Sequence, residues 1–572
     1  FQMANGYAPP TFSVWDYAVF SVMLAGSVAI GVFHACRGAK DADDYLLGGR
    51  HMKVLPVAIS LFASFMSAIG ILGFSGETYG HGLEAMWQLA GAVFGITMVS
   101  LVLIPVLHPL RLTSITQYLG LRYRSNGLRR LAMLLLVVQG LLYMGLCLYA
   151  PTVALTSITP IDVNIYLIVL GIICTIYSTL GGIKAVVWVD VFQIVIMISG
   201  VGSVIGVSVW EVGGVRQAWE IAEQHNRTRN INLNVDIYER HNLLNLLLQG
   251  SVFWGSTFGV TQANFQRIAS VPTKAKAMGV MGLTVIFLGT IGIFLFLSGV
   301  SVFAVYATCS PLSLGHIKSK DQILPYFVMD RMSYLPGIPG LFIAAIFSGA
   351  LSSISSSLNG VVAMVWKDVL QPLPRFRRTS RETETKINKI LSVVVGLMMI
   401  GLAYLCSLLE GLMQAATTVN GVTAGPILGL FLMAILMPWT NRIGAWTGLI
   451  ISWVLMAWVA VGSFIHGDKP VLLPMSTEGC VGLNNSMVVS TNTSSAIMLD
   501  DVTKSWVERR IYGLSYCMLQ VLGAALCIII GVLTSLATGG ENTPKVSHSL
   551  IHPIARYWLP PPNSPMTMRT RL

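Results

Sequence analysis

Long apolar runs follow one another along most of the 572-residue chain. A membrane-spanning helix needs about 20 predominantly apolar residues, and thirteen runs are of this kind. They lie near 14–35, 54–79, 83–108, 131–156, 161–180, 186–211, 243–264, 277–306, 338–366, 390–409, 412–438, 443–466 and 511–537. Period-two alternation is absent, and the runs are far longer than the strands of a membrane barrel. The pattern therefore predicts an all-α polytopic membrane protein with about thirteen transmembrane helices.

Four of these runs are interrupted by small and polar residues. They are 63–73 (ASFMSAIGILG), 254–267, 348–360 and 414–426. Close helix packing accounts for an isolated Gly or Ser, but not for adjacent Ser352 and Ser353, which cannot both face one partner helix. Hydroxyls, and carbonyls freed where a helix is broken, are ligands for alkali cations. We therefore expect a sodium ion and a small solute here. A proton relay would need intramembrane acids, of which Asp190 is the clearest.

The spans also divide into two comparable blocks. Segments 54–211 and 243–438 hold five helices each, and an odd number gives the blocks opposite topologies. Each block begins with a polar, Gly-containing helix, as expected for an inverted repeat whose two broken helices meet at a midplane site. The predicted organisation is then an N-terminal helix with its inner loop (1–53), repeat 1 (54–211), an extracellular loop (212–242), repeat 2 (243–438), two accessory helices (439–537) and a cytoplasmic tail (538–572).

Composition and charge agree with a membrane protein and give its orientation. Hydrophobic residues make up 54% of the chain and charged residues only 11%, whereas soluble domains contain about 25% charged residues. With an extracellular N-terminus and a cytoplasmic C-terminus, 25 of the 36 Lys and Arg residues lie inside and 11 outside, as the positive-inside rule expects. The net charge of +11 therefore reflects topology rather than nucleic-acid binding.

Sequons and cysteines bear on the outer loops. Three glycosylation sequons begin at Asn226, Asn484 and Asn492, all in loops predicted to be extracellular, which favours a plasma-membrane glycoprotein. The first apolar run is followed by Cys-Arg-Gly rather than a small-residue cleavage site, so we expect no cleaved signal peptide. Cys309 and Cys480 alone fall in outer loops. They either pair as a disulfide in this oxidising compartment or remain free thiols.

Ordered motifs resemble those of the sodium:solute symporters over about residues 10 to 540. They include LLGGR at 46–50, ASFMSA at 63–68, YSTLGGIKAVVWVDVFQ at 177–193, GVTQ at 259–262 and GP at 425–426. Within that family the chain most resembles the branch of the sodium-coupled monocarboxylate, multivitamin and iodide transporters. The resemblance implies thirteen spans, an extracellular N-terminus and the five-plus-five inverted-repeat fold of the leucine transporter.

The resemblance also implies site residues. The common sodium site would use the carbonyls of Ala63, Met66 and Gly349 and the hydroxyls of Ser352 and Ser353. Positions near a second sodium are matched by Ser67 and Tyr143, with Gln414 beside them. The substrate cavity would be lined by Gly70, Gly73, Trp254, Phe258, Gln262, Thr417 and Asn420. Asp190 matches an acid near the inner sodium exit, and the alternative is that it caps a helix start.

Departures from the family pattern bear on the substrate. Gly70 replaces a Gln or Thr, and Thr417 and Asn420 replace larger apolar residues, so the cavity is expected to be roomier and more polar than an iodide site. We therefore expect a non-enzymatic symporter that imports a small organic anion, such as a monocarboxylate, by alternating access. The alternatives are a biotin/pantothenate, iodide, sugar or polyol transporter, and a non-transporting sodium-gated sensor or channel. The terminal triplet Thr570-Arg571-Leu572 resembles a ligand for a scaffold domain.

Overall fold

The computed structural model describes residues 12–36, 47–156, 162–180, 183–229, 231–376, 379–408, 411–467, 471–480, 506–539 and 546–558. Asn484, Asn492 and the triplet Thr570-Arg571-Leu572 lie outside these residues. The long helices and the halves of two broken ones are α1 (Val14–Cys36), α2 (Val54–Ala63), α3 (Ala68–His81), α4 (Leu83–Leu107), α5 (Asn126–Thr156), α6 (Val163–Leu180), α7 (Ile183–Val212), α8 (Leu243–Val260), α9 (Gln262–Ala269), α10 (Lys274–Val305), α11 (Ile338–Leu370), α12 (Arg381–Cys406), α13 (Leu412–Leu436), α14 (Arg442–His466) and α15 (Tyr516–Ala537).

The number of membrane helices agrees with the sequence pattern. Within the described residues, eleven helices are long and apolar enough to cross a membrane, and α2 with α3 forms a twelfth span bent by 57°. The thirteenth predicted span corresponds to α6, whose apolar part, Val163–Ile176, is shorter. Helix α12 begins nine residues before its predicted span, at Arg381, because Ser380 caps it and its first turns carry charged residues outside the apolar run.

Two spans are broken, one at the start of each predicted repeat. Between α2 and α3 the chain turns at Ser64–Ser67, and the Ser67 hydroxyl accepts a hydrogen bond from Gly70 N, which caps α3. Between α8 and α9, Thr261 has extended backbone angles. Its hydroxyl and the Asn264 amide both donate to the carbonyl of Thr257. Side chains that compete in this way for backbone groups interrupt a helix, so the span predicted as 243–264 ends at Val260.

The contacts between the two blocks are reciprocal. Helix α4 of the first block packs on α8 of the second, and α10 of the second packs on α2 and α3 of the first. In the same way the pair α7–α11 is matched by α13–α5, and the pair α5–α12 by α11–α6. Each contact thus recurs with the two blocks exchanged, which is the arrangement of an inverted repeat.

Small residues allow the closest of these contacts. A Cβ on Gly250 of α8 would lie 2.1 Å from the carbonyl oxygen of Gln88 at the start of α4. A Cβ on Gly95 of α4 would lie 2.2 Å from the carbonyl oxygen of Ser251. No side chain fits in these gaps, so the two helices touch backbone to backbone, as small-residue interfaces in membranes do.

Residues 471–480 form a short outer segment that packs beside the ends of α3 and α10. We call outer the side on which residues 212–229, 231–242 and 471–480 lie, since the charge pattern predicts these loops to be extracellular. Cys309 and Cys480 form a disulfide with a Cα–Cα distance of 5.0 Å. Beside it, Ser310 N donates to Ser476 O and Gly479 N to Thr308 O, both at 2.9 Å. Asn226 is exposed on the same side, where its glycosylation stays a prediction.

Candidate functional site

The break between α2 and α3 lies directly against the middle of α11. A Cβ on Gly349 would lie 2.8 Å from the carbonyl oxygen of Met66 and 2.9 Å from the backbone nitrogen of Ala68. The Ser353 hydroxyl donates to the carbonyl of Ser64 at 2.9 Å. Glycine at position 349 therefore lets the broken segment approach α11 closely enough for backbone and side-chain oxygens to share one site.

These oxygens form a set suited to an alkali cation. We define the oxygen set as the carbonyls of Ala63, Met66 and Gly349 and the hydroxyls of Ser352 and Ser353. Ala63 ends α2, Met66 lies in the break, and the other three residues lie on α11. Carbonyl and hydroxyl oxygens without a carboxylate are hard, neutral ligands, so the arrangement could hold a sodium ion. Sequence reasoning did not include the Ser64 carbonyl, which the structure adds as the partner of Ser353.

Asp190 forms hydrogen bonds with residues around the oxygen set, so its role is more than that of a helix cap. Its two carboxylate oxygens accept from Ser352 at 2.6 Å, from Ser60 at 2.5 Å and from an Arg267 guanidinium nitrogen at 3.0 Å. Arg267 also donates to Ser60 and Ser356. The pair of Asp190 and Arg267 is almost fully buried. It ties α2, α7, α9 and α11 together on the inner side of the oxygen set.

Two of the three residues expected near a second sodium also come together. Ser67 begins α3, and the hydroxyl of Tyr143 on α5 lies beside the side chains of Ser67, Ser353 and Cys147. Gln414 is elsewhere: its Oε1 accepts from Arg240 at 3.0 Å on the outer side. The structure thus groups Ser67 and Tyr143 with the oxygen set and Gln414 with an outer charge cluster.

A cavity of about 110 Å³ lies next to the oxygen set. Among the predicted substrate residues, those that line it are Gly70, Trp254, Gln262, Thr417 and Asn420. Phe258 lies behind the wall, stacked on Trp254 at a centroid distance of 5.8 Å. Gly73 packs against the backbone of Met413, with 3.3 Å between its hypothetical Cβ and Met413 N. Both broken spans contribute to the cavity walls.

Within the described part of the chain, some polar groups around the cavity have hydrogen-bond partners and others have none. Gln139 Nε2 donates to Asn420 Oδ1 at 2.6 Å, and Thr417 donates to Met413 O at 2.9 Å. The Trp254 Nε1 is buried and has no hydrogen-bond partner among the described residues. A buried donor without a partner costs free energy. Gln139 was missed by sequence reasoning because it is a single polar residue in an apolar span.

Gln262 lines the cavity on its inner side and binds a loop there. Its Nε2 donates to the carbonyl of Thr113 at 2.8 Å, and its Oε1 accepts from Ile115 N at 2.9 Å. Both ends of the amide are therefore engaged by the loop that follows α4. In this conformation Gln262 holds that loop against the start of α9 while its side chain lines the cavity.

A cluster of charged and titratable residues lies on the outer side of the cavity. Glu77 on α3 accepts from Arg240 at 2.8 Å and from Lys320 at 2.5 Å, and the imidazoles of His81 and His241 lie 3.2 and 3.4 Å from it. We define the outer cluster as these five residues. The sequence carried a signal for it, since Glu77 is an acid inside an apolar run, but only Asp190 was singled out.

His241 has an altered pKa in the outer cluster. Burial lowers the pKa of its imidazole, and the nearby cations Arg240 and Lys320 lower it further against the opposing effect of Glu77, to about 4. His241 is therefore neutral at physiological pH, and its Nε2 lies 3.0 Å from the Tyr516 hydroxyl. The cations that contact Glu77 are Arg240 and Lys320.

Comparisons with known proteins identify the family of the chain. Residues 45–452 match the Sodium:solute symporter family. The chain is 36% identical to the human sodium-coupled monocarboxylate transporter 1, over 93% of this chain and 88% of that one. It is also 36% identical to the human sodium/iodide cotransporter, with 95% and 86% covered. The same identity, with 95% and 85% covered, holds for the rabbit (Oryctolagus cuniculus) sodium-dependent multivitamin transporter.

A solved structure shows the same fold. The substrate-bound, outward-open structure of a Na+-coupled sialic acid symporter superimposes with a TM-score of 0.74 at 22% identity, covering 92% of this chain and 98% of that one. The predicted all-α inverted-repeat fold is thereby confirmed. The family match extends over most of the chain and includes both broken spans and the serine pair. The chain therefore belongs to the sodium:solute symporter family, whose coupling ion is Na+.

Proposed function

We propose that the protein is a symporter that imports a small, monocarboxylate-like organic anion together with sodium. The observation that carries the proposal is the juxtaposition of two features. The cavity between the broken spans is lined by hydroxyl, amide and indole groups, and it adjoins the oxygen set at the α2–α3 break. The equal 36% identity to sodium-coupled monocarboxylate, iodide and multivitamin transporters supports sodium-coupled transport of an anion, and the choice of anion is proposed from the cavity.

Sodium would bind first, at the carbonyls of Ala63, Met66 and Gly349 and the hydroxyls of Ser352 and Ser353. Its contacts would tie the α2–α3 break to α11 and so stabilise a state open to the outside. The two repeats would then rock around the occupied site and release both ligands inward. The membrane potential supplies about 2.3 kcal/mol per charge for each 100 mV. Asp190 would lie on the sodium exit path.

The anion would bind in the cavity without a covalent step. Thr417 and the Gln139–Asn420 amide pair supply polar groups to its lining. The amides of Gln139 and Asn420 each use one N–H in hydrogen bonds to Asn420 Oδ1 and Ala416 O, respectively, and keep a second N–H. A carboxylate can accept from such N–H groups with its two oxygens, whereas iodide gains less from directional hydrogen bonds. Directional amide donors in mostly apolar walls therefore favour an organic anion over iodide. Binding and release without a chemical step would make the protein a non-enzymatic carrier.

Uptake of labelled solutes tests the proposal directly. Cells expressing the full chain would be given labelled pyruvate, lactate, biotin or iodide, with sodium or with choline in its place, and surface protein would be measured by biotinylation. We expect sodium-dependent uptake of pyruvate or lactate. If only biotin or iodide were taken up, the proposed substrate class would be wrong and the transported solute would define the class. No uptake of any solute, with the protein at the surface, would favour a sodium-gated sensor, and current recordings would follow.

A further inference from the structure

The two cations of the outer cluster lie on the outer side of the cavity. Glu77, which both contact, is one turn beyond Phe74 on α3, and Phe74 lines the cavity. Arg240 also donates to Gln414, the neighbour of the cavity residue Met413 on α13. A solute that enters from the outer side therefore passes this cluster before it reaches the cavity.

The members of the cluster differ in their exposure to the outside. The side chains of Arg240 and Lys320 are 21% and 10% exposed, whereas that of Glu77 is 1% exposed. An anion that approaches from outside would thus contact the cations first. Their partner within the protein, the Glu77 carboxylate, is buried beneath them. Nearby Asp321 is also buried, and its Oδ2 accepts from Leu412 N at 2.8 Å, so it is directed towards the start of α13.

Arg240 is held in position by groups other than Glu77. Its guanidinium lies over the Tyr516 ring at 4.8 Å, and its carbonyl oxygen accepts from the Ser515 hydroxyl at 3.2 Å. The start of α15 therefore holds the guanidinium, and Ser515 holds the backbone of Arg240. If Glu77 moved away with α3, Arg240 would remain on the outer side of the cavity with its donors directed at the entry path.

We propose that Arg240 and Lys320 form an outer binding site for the carboxylate of the incoming substrate, and that Glu77 occupies this site as an internal carboxylate when the outer side is closed. The inference rests on the proposed transport of an organic anion. It explains how a cavity whose lining, among the described residues, contains no Lys or Arg can collect an anion, because the cations that attract it lie on the outer side of the cavity. A solute carboxylate and Glu77 would exchange on the same two cations as the outer side opens and closes.

The test compares charge variants of this cluster in the full chain. Initial rates of sodium-dependent uptake of labelled pyruvate give KM and Vmax per surface protein for the wild type, Arg240→Gln, Lys320→Gln and Glu77→Gln. Lys318→Gln is the matched control, because Lys318 is exposed in the same loop two residues from Lys320. Arg240→Lys and Lys320→Arg retain the charge and test whether charge, rather than shape, is needed.

Removal of either cation should raise the KM for pyruvate about fivefold, with Vmax within about twofold, since electrostatic attraction acts mainly on the encounter step. Glu77→Gln should lower KM, because the internal competitor loses its charge. Added choline chloride at constant sodium should raise the wild-type KM and have less effect on Arg240→Gln. If Arg240→Gln does not reach the surface, the comparison of Lys320→Gln with Lys320→Arg decides the matter.

Two kinds of failure can be told apart. If the wild type transports pyruvate or lactate but the cation variants leave KM unchanged, the outer site is wrong and the proposed function stands. If Glu77→Gln and Arg240→Gln change KM in the same direction, the cluster acts only as a gate, and the outer site is again wrong. If the wild type transports no organic anion, the proposed function fails and this inference fails with it.

Discussion

At the scale of single residues, the adjacent serines of α11 have different partners. Ser352 donates to the buried carboxylate of Asp190, and Ser353 donates to the main-chain carbonyl of Ser64. Loss of the Ser352 hydroxyl would leave a buried charge short of a donor, which destabilises the fold as well as any ion site. Ser353 is therefore the better residue for testing the proposed sodium site.

Ser353→Ala should weaken sodium activation of transport. A hydroxyl ligand to a charged ion contributes about 1.5 kcal/mol or more, so we expect the sodium concentration for half-maximal uptake to rise about tenfold. The measurement is uptake of the identified substrate as a function of sodium, normalised to surface protein.

Ser355→Ala is the matched control for this change. Ser355 is also buried on α11, but its hydroxyl donates to Ser352 O within the same helix. Its variant should keep the wild-type sodium dependence. An unchanged sodium curve in Ser353→Ala would remove Ser353 from the ligand set.

At the scale of elements, the site depends on how closely a broken helix approaches an unbroken one. The turn at Ser64–Ser67 exposes carbonyl groups, but these form a site only because α11 has no side chain at Gly349. The atoms that a Cβ would meet there belong to the backbone of residues 66–68. They cannot move aside as a flexible side chain would.

Gly349→Ala should separate the break from α11 and disrupt the oxygen set. Overpacking of this kind costs about 1–3 kcal/mol, so we expect at least a tenfold loss of sodium-dependent uptake per surface protein. Gly401→Ala on α12 is the control, since a Cβ at Gly401 meets nothing within 4 Å. Wild-type uptake by Gly349→Ala would contradict the close approach.

At the scale of the whole molecule, the outer segments are fastened over the helix ends. The disulfide joins Cys309, beyond α10, to Cys480 across 171 residues of sequence. In the segment before Cys480, Leu473 N donates to Gly80 O at 3.0 Å, at the outer end of α3. The disulfide therefore holds the segment 473–480 beside the outer cluster and away from the oxygen set.

Replacing both Cys309 and Cys480 by Ser should lower thermal stability and leave sodium affinity unchanged. A long closed loop restricts the unfolded chain, and we expect the melting temperature of the purified protein to fall by about 5 °C. Reductant should lower the melting temperature of the wild type similarly and have no effect on the double variant. An equal melting temperature for both proteins would show that the disulfide adds no stability.

The sequence by itself determined the class, the spans and the serine pair. Apolar run length is sufficient for this because helices in lipid satisfy their backbone hydrogen bonds internally, so each run reports its own secondary structure. The polarity of 63–73 and of Ser352-Ser353 also showed which spans are unusual. These are properties of local sequence, and they do not depend on how the helices are arranged.

Only the tertiary structure decided which polar groups meet. Gln262 was predicted to contact substrate, yet its amide binds the loop at Thr113 and Ile115. Glu77, Arg240 and Lys320 come from three distant segments, and nothing in their spacing indicates that they share one cluster. The sign and position of charge on the outer side of the cavity depend on contacts between helices and loops far apart in sequence, and local hydrophobic pattern carries no record of such contacts.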